Sequence, residues 1–91
     1  MATFIVGYDL THKDGHDYAN LIDALKTSFS NWWHHLDSTW VIVTSKTAVE
    51  VRDTLSPHMH RDDKLFVAQA SGVGAWRGFG DKGSIWLKDN L

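Results

Sequence analysis

A chain of 91 residues predicts a single domain spanning residues 1–91, because this length supports one hydrophobic core. The net charge of −2 argues against a nucleic-acid binder held mainly by electrostatics. The absence of cysteine excludes disulfides and thiolate metal sites and is compatible with the cytoplasmic location we expect. We expect no membrane partner and no signal peptide, because every apolar stretch is short.

The first predicted element is a buried strand over residues 3–10, in which an apolar run ends at Asp9. A helix is predicted next, over residues 16–29, with Asp14 or Asp17 as its cap. Its apolar residues have the spacing of one helix face. They are Tyr18, Leu21, Ile22, Leu25 and Phe29.

Aromatic and β-branched residues dominate the next segment and predict extended chain. Two interpretations remain open. The segment forms two short strands, over residues 32–36 and 39–44, or one long strand bent at Asp37 and Ser38.

A second helix is predicted over residues 46–56. Thr47 and Glu50 have the spacing of a capping box, and Pro57 ends the helical pattern. A polar loop and another strand, over residues 64–70, follow.

The C-terminal tail is rich in glycine and tryptophan. Its glycines predict a loop over residues 72–83. A short helix is predicted over residues 84–90, with Ile85, Trp86 and Leu87 facing inward.

The predicted order β-α-β-β-α-β is that of an α+β, ferredoxin-like split βαβ fold followed by the Gly- and Trp-rich tail. Right-handed crossovers place both helices on one face of an antiparallel sheet. The other face is then bare, and an uncovered apolar face on a small domain predicts a homodimer.

Asp9 is the leading candidate site residue, because the carboxyl end of a strand is where small α/β folds bind ligands and metals. The alternative is a turn cap. The first strand is central in this topology, so two Asp9 side chains of a two-fold dimer could hold one divalent cation. Ser38 is either a phosphate or water ligand beside Asp9 or a residue that hydrogen-bonds within its own turn.

Histidine and tryptophan supply two weaker candidate sites. His34 and His35 are adjacent on a strand and point to opposite faces, so only His35 and Asp37 share a face, which is a weak zinc signal. The five tryptophans could stack on nucleobases, although we expect at least three of them to be structural. They are Trp32, Trp33, Trp40, Trp76 and Trp86.

The strand that ends in Tyr8 and Asp9, the amphipathic helix and the strand after Ser38 together resemble the CRISPR-associated protein 2 family, whose members are ferredoxin-like homodimers. VapD-type toxins look like relatives. The chain looks closer still to small SinR-like bacterial proteins, which share a Tyr-Asp-Leu strand end, a Trp-Trp-His element and a Ser-Thr-Trp strand. The resemblance covers roughly residues 3–70. The acidic composition and the tail depart from the family pattern.

The resemblance implies that Asp9 corresponds to the family's metal-associated aspartate and Ser38 to its strand serine. The implied function is a small nuclease-like protein of toxin or defence type. It would cleave RNA or DNA with Mg²⁺ or Mn²⁺ held at Asp9, and Asp9 and Ser38 would be its catalytic residues. The alternative function is a non-catalytic dimeric module that binds a protein, a nucleotide or a nucleic acid.

Overall fold

The computed structural model describes residues 1–11 and 18–91. This part of the chain contains four strands, three α-helices and one short 3₁₀ turn, and none of these helices is long and apolar enough to cross a membrane. In chain order they are β1 (Ala2–Asp9), α1 (Ala19–Ser28), β2 (Asn31–Leu36), β3 (Thr39–Thr44), α2 (Ala48–Leu55), the 3₁₀ turn (Ser56–His58), β4 (Lys64–Gln69) and α3 (Asp81–Asn90).

The four strands form one antiparallel sheet in the order β2-β3-β1-β4. β1 is therefore internal, with Gly7 opposite Thr39 of β3 and Phe66 of β4. β2 and β3 are separate strands, as one of the two interpretations predicted. The pairing of β2 with β3 is irregular between Trp33 and Leu36, just before the turn that joins them.

Helices α1 and α2 cover one face of this sheet. Phe4 and Val6 of β1 point to this face, because alternate side chains of a strand share a side. The prediction of an α+β domain with an antiparallel sheet is confirmed, and the element order is compatible with the ferredoxin-like arrangement. The buried residues of this larger core are Phe4, Val6, Leu21, Ala24, Leu25, Phe29, Trp40, Ile42, Val51 and Leu55.

The opposite sheet face is partly covered by the tail, so the prediction of a bare face was wrong. Trp33 and Val41 point to this side and are buried against Leu87 of α3. The ring N–H of Trp33 donates a hydrogen bond of 3.1 Å to the carbonyl of Gly83. The uncovered part of this face lies towards β4, where Phe66 is 66 % exposed.

The tail helix differs from its prediction in two ways. α3 begins at Asp81, earlier than expected, and includes Gly83. A Cβ at Gly83 would lie 3.3 Å from the ring of His35, so the glycine permits the close approach of helix and strand. Gly83 and Leu87, one turn apart, face the sheet. Ile85 therefore faces solvent and is 59 % exposed, which corrects the inward orientation predicted for it.

The helix caps were predicted with mixed results. The capping box of α2 is confirmed: Thr47 Oγ1 accepts a hydrogen bond from the Glu50 backbone, and Glu50 Oε1 accepts one from the Thr47 backbone. Hydrogen bonds from the Thr47 backbone and side chain lower the pKa of Glu50, and the bond from the Thr47 backbone N–H has the larger effect. The caps proposed for α1, Asp14 and Asp17, lie outside the described residues.

Candidate functional site

Asp9 ends β1 with an exposed side chain, beside a residue of opposite charge. Lys64, the first residue of β4, is directly opposite Asp9 in the antiparallel register. Opposite residues of neighbouring strands project to the same face with their Cβ atoms about 5 Å apart. Both residues line a depression of about 370 Å³, together with Phe66. A carboxylate and an ammonium group are therefore presented side by side at one end of the sheet.

Ser38 is brought to the same end of the sheet. It forms the turn between β2 and β3 together with Asp37. The backbone N–H of Tyr8 donates a 3.0 Å hydrogen bond to the carbonyl of Ser38, which holds the turn against the end of β1. The backbone of Ser38 is thus bonded to the residue that precedes Asp9, which brings the two predicted site residues to the same end of the sheet.

A chain of aromatic contacts supports this turn from the other face of the sheet. The ring N–H of Trp40 donates a 3.0 Å hydrogen bond to the hydroxyl of Tyr8. The His34 ring stacks on Trp40 with centroids 4.0 Å apart and an interplanar angle of 11°. Burial raises the pKa of Tyr8 above its usual value. The hydrogen bond from Trp40 lowers this pKa in part, and the nearby Asp37 carboxylate raises it further. Tyr8 therefore remains a neutral phenol at physiological pH.

The weak zinc signal was at His35 and Asp37, and the ring contacts of β2 show where His35 and its neighbour His34 lie. While His34 stacks on Trp40, the His35 ring lies on the other face, 5.1 Å from the ring of Trp33 between centroids. The prediction that the two histidines point to opposite faces is therefore confirmed. Both rings pack against tryptophan, which accounts for their positions without a shared ion.

Asp9 is the residue predicted to hold a metal, and it would supply a single carboxylate. Within residues 1–11 and 18–91, no group of three or more histidine, aspartate or glutamate side chains could hold an ion. Mg²⁺ commonly uses one or two carboxylates together with substrate phosphates and water. Asp9 could supply one such carboxylate.

Asp63 is a structural hub near this site that the sequence did not reveal, because its partners are far away in the chain. Its carboxylate accepts a 2.8 Å hydrogen bond from the backbone N–H of Thr11 and 2.9 Å bonds from the Tyr18 hydroxyl. It also accepts one of 2.8 Å from the backbone N–H of His60. Asp63 therefore ties the chain that leaves β1 to the loop that precedes β4.

The same hydrogen bonds set the ionisation of Asp63. Burial by itself would raise its pKa, but the bonds from the Thr11 and His60 backbones and from the Tyr18 and Thr11 hydroxyls outweigh that effect. They lower the pKa from 3.8 to about 2. The native state therefore favours the ionised carboxylate.

Replacing Asp63 with asparagine is expected to lower the free energy of unfolding by about 1–2 kcal/mol at pH 7, because charge-assisted hydrogen bonds are lost. A depressed pKa stabilises the fold above the unfolded pKa, and this stabilisation disappears as pH falls from about 4 towards 2. The difference between wild type and variant should therefore shrink over that pH window in urea titrations.

The matched control is Asp62→Asn, the same chemical change at an exposed neighbour whose oxygen lies 3.7 Å from His60 Nδ1. We expect it to change stability by less than about 0.5 kcal/mol. Equal losses for the two variants would contradict the role of Asp63.

No protein-family model matches this chain, and no curated protein or solved structure is significantly similar to it.

Proposed function

We propose that this protein is a cytoplasmic, nuclease-like protein of toxin or defence type that cleaves phosphodiester bonds in RNA or DNA. The toxin or defence type follows from the resemblance to the CRISPR-associated protein 2 family. The proposed cleavage is supported by one observation: the exposed carboxylate of Asp9 lies directly opposite Lys64 at the sheet end where the Ser38 turn is bonded to β1. A carboxylate can hold a divalent cation and an ammonium group can bind phosphate, and both charges would assist such a reaction.

In this mechanism Asp9 would hold Mg²⁺ or Mn²⁺, which supplies an activated water and neutralises charge on the scissile phosphate. Lys64 would bind a non-bridging phosphate oxygen and orient the backbone of the substrate. Ser38 would donate a hydrogen bond to the phosphate or to the attacking water, since its turn is fixed beside the end of β1.

We further propose that the domain is a ferredoxin-like homodimer formed through the part of the sheet that α3 leaves uncovered. Phe66 is large, apolar and 66 % exposed there, which favours burial against a second copy. Phe66 also lines the depression of Asp9, so this contact would bring the two Asp9 carboxylates towards one another.

Light scattering at micromolar concentration should give about twice 10.3 kDa for the wild type. Phe66→Lys should give the monomer mass, because an ammonium group would be buried at the contact. Ile85→Lys is the control, since Ile85 is similarly exposed on the outer side of α3. A wild type that stays monomeric at every concentration would contradict the dimer.

The catalytic proposal is tested with purified protein and labelled RNA, single-stranded DNA and duplex DNA. Cleavage is expected with Mg²⁺ or Mn²⁺ and should stop when a chelator removes the metal. The absence of cleavage of every substrate across metals and pH would refute the proposal.

The second candidate function is a non-catalytic module that binds a protein, a nucleotide or a nucleic acid. It is favoured by the observation that Asp9 belongs to no cluster of three or more potential metal ligands in the described residues. A protein that binds nucleic acid without cleaving it would support this function instead.

A further inference from the structure

The open edge of β2 carries a second surface that the proposed catalytic site does not use. β2 is the first strand in the order β2-β3-β1-β4, and β3 is its partner in the described sheet. An edge strand leaves one side of its backbone available to a ligand. Tryptophan and histidine side chains project from both faces of this strand.

A cavity of about 340 Å³ lies along this edge, between β2 and the beginning of α3. We call this surface, which Lys82 closes on the side of α3, the aromatic edge. The residues that line it are Trp32, Trp33, His34, His35, Lys82 and Trp86.

The tryptophans of the aromatic edge are held in place by hydrogen bonds within the protein. The ring N–H of Trp86 donates to Asn31 Oδ1 at 2.8 Å, and that of Trp33 donates to the Gly83 carbonyl at 3.1 Å. Both ring donors are therefore used internally. Trp33 is buried, so the ring surface open to a ligand is that of the half-buried Trp86 and of Trp32, which is 37 % exposed.

The charge of the aromatic edge is opposite in sign to that of the whole protein. Lys82 lines the cavity, and Lys26 Nζ lies 5.7 Å from the centre of the Trp32 ring on the α1 side. None of the described residues that line the cavity carries a carboxylate. The chain as a whole has a net charge of −2, so these two lysines give this surface a positive charge that the whole chain lacks.

We infer that the aromatic edge binds single-stranded nucleic acid, with bases stacked on exposed indole rings and phosphates paired with Lys82 and Lys26. Ring faces beside ammonium groups are the combination that holds unpaired nucleotides with little sequence preference. A base pair in a duplex hides its faces in the stack, so duplex DNA would not use these rings.

This inference rests on the proposed function and names its substrate class. β2 spans six residues, about 20 Å at 3.3 Å per residue, which is enough for a few nucleotides. It runs into the Asp37–Ser38 turn, which is bonded to β1 next to Asp9. A nucleic-acid strand bound along β2 would therefore extend towards the Asp9 carboxylate.

Binding is tested separately from cleavage, with fluorescein-labelled dT10, the matching RNA and a duplex in the presence of EDTA. Fluorescence anisotropy should show that both single strands bind at least ten-fold more tightly than the duplex. Trp32→Leu and Lys82→Glu should each raise the Kd about ten-fold. Lys82→Glu should also weaken the salt dependence, because a phosphate contact is lost.

The chain offers close controls for both variants. Trp76 has the same 37 % exposure as Trp32 but lines a different groove, so Trp76→Leu should leave the Kd unchanged. Lys88→Glu makes the same charge change as Lys82→Glu at another exposed position of α3 and should have little effect. Thermal unfolding of each variant verifies that it remains folded.

Three outcomes would overturn the inference. One is no binding of either single strand, and another is equal weakening by Trp32→Leu and Trp76→Leu. The third is binding of a six-residue Val/Thr peptide at this edge in place of the oligonucleotides, which would identify a strand-pairing surface. Binding that survives while cleavage is absent would refute the nuclease and leave this inference standing.

Discussion

Replacing Leu25 with alanine is expected to lower the free energy of unfolding by about 2–5 kcal/mol. Leu25 lies on α1 and is completely buried in the larger core against the sheet. Truncation removes its transfer free energy and leaves a cavity that the packed residues around it can only partly fill. Since small domains are stable by only about 5–15 kcal/mol, this loss would be a large fraction of the total.

Urea unfolding followed by circular dichroism measures this loss as a shift in midpoint at constant slope. Leu36→Ala is the matched control, because it removes the same atoms from a side chain that is 46 % exposed. Its expected cost is below about 1 kcal/mol. A Leu25→Ala variant as stable as Leu36→Ala would show that α1 does not pack as described.

Changing Asp9 to asparagine is expected to slow nucleic-acid cleavage on the order of 100-fold, about 2.7 kcal/mol of transition-state stabilisation. The amide keeps the shape of the side chain and removes the charge that would hold the metal. Stability should be nearly unchanged, because Asp9 is exposed at the end of its strand. The initial rate of cleavage under Mg²⁺ saturation is the measurement.

Asp89→Asn is the control for this variant. Asp89 is exposed near the end of α3, which is tied to the beginning of β1 by the hydrogen bond from the Thr3 hydroxyl to the Asn90 carbonyl. Asp9 lies at the opposite end of β1 from that region, so the control should retain full activity. Cleavage that persists in Asp9→Asn would locate the reaction elsewhere or in a contaminant.

The elements of the larger core were predictable because local signals and burial agree there. The apolar spacing of α1 and the capping box at Thr47 and Glu50 each have a local physical cause. The degree of burial was less predictable, since it depends on sheet order. Leu65 and Val67 of β4 are only partly buried, because β4 lies at the sheet edge.

The tail was predicted less well because its structure depends on distant residues. Glycine disfavours helix, so the sequence favours a loop through Gly83. The structure places Gly83 inside α3, where a Cβ would lie only 3.3 Å from the His35 ring and 3.4 Å from the Trp33 ring of β2. A contact between residues about 50 positions apart in the chain overrides the local preference.

The candidate site also combines features that local sequence predicts with features that depend on distant residues. Asp9 and Ser38 could be placed at one end of the sheet from element order alone. The position of Lys64 opposite Asp9 depends on the register of β1 with β4, which a one-residue slip would change. The role of Asp63 depends on loops that meet only in the folded chain, with Thr11 separated from it by 52 positions.

The small second core gives the domain an uneven distribution of local stability. Among residues 1–11 and 18–91, the cluster between α3 and the sheet has three buried apolar residues, compared with ten in the larger core. Amide hydrogens of α3 should therefore exchange with solvent through local opening, while those of β1 wait for global unfolding. Trp86 and Lys82 of the aromatic edge belong to this readily opened helix. An oligonucleotide bound there would selectively slow exchange in α3, because it would stabilise the C-terminal segment against local opening.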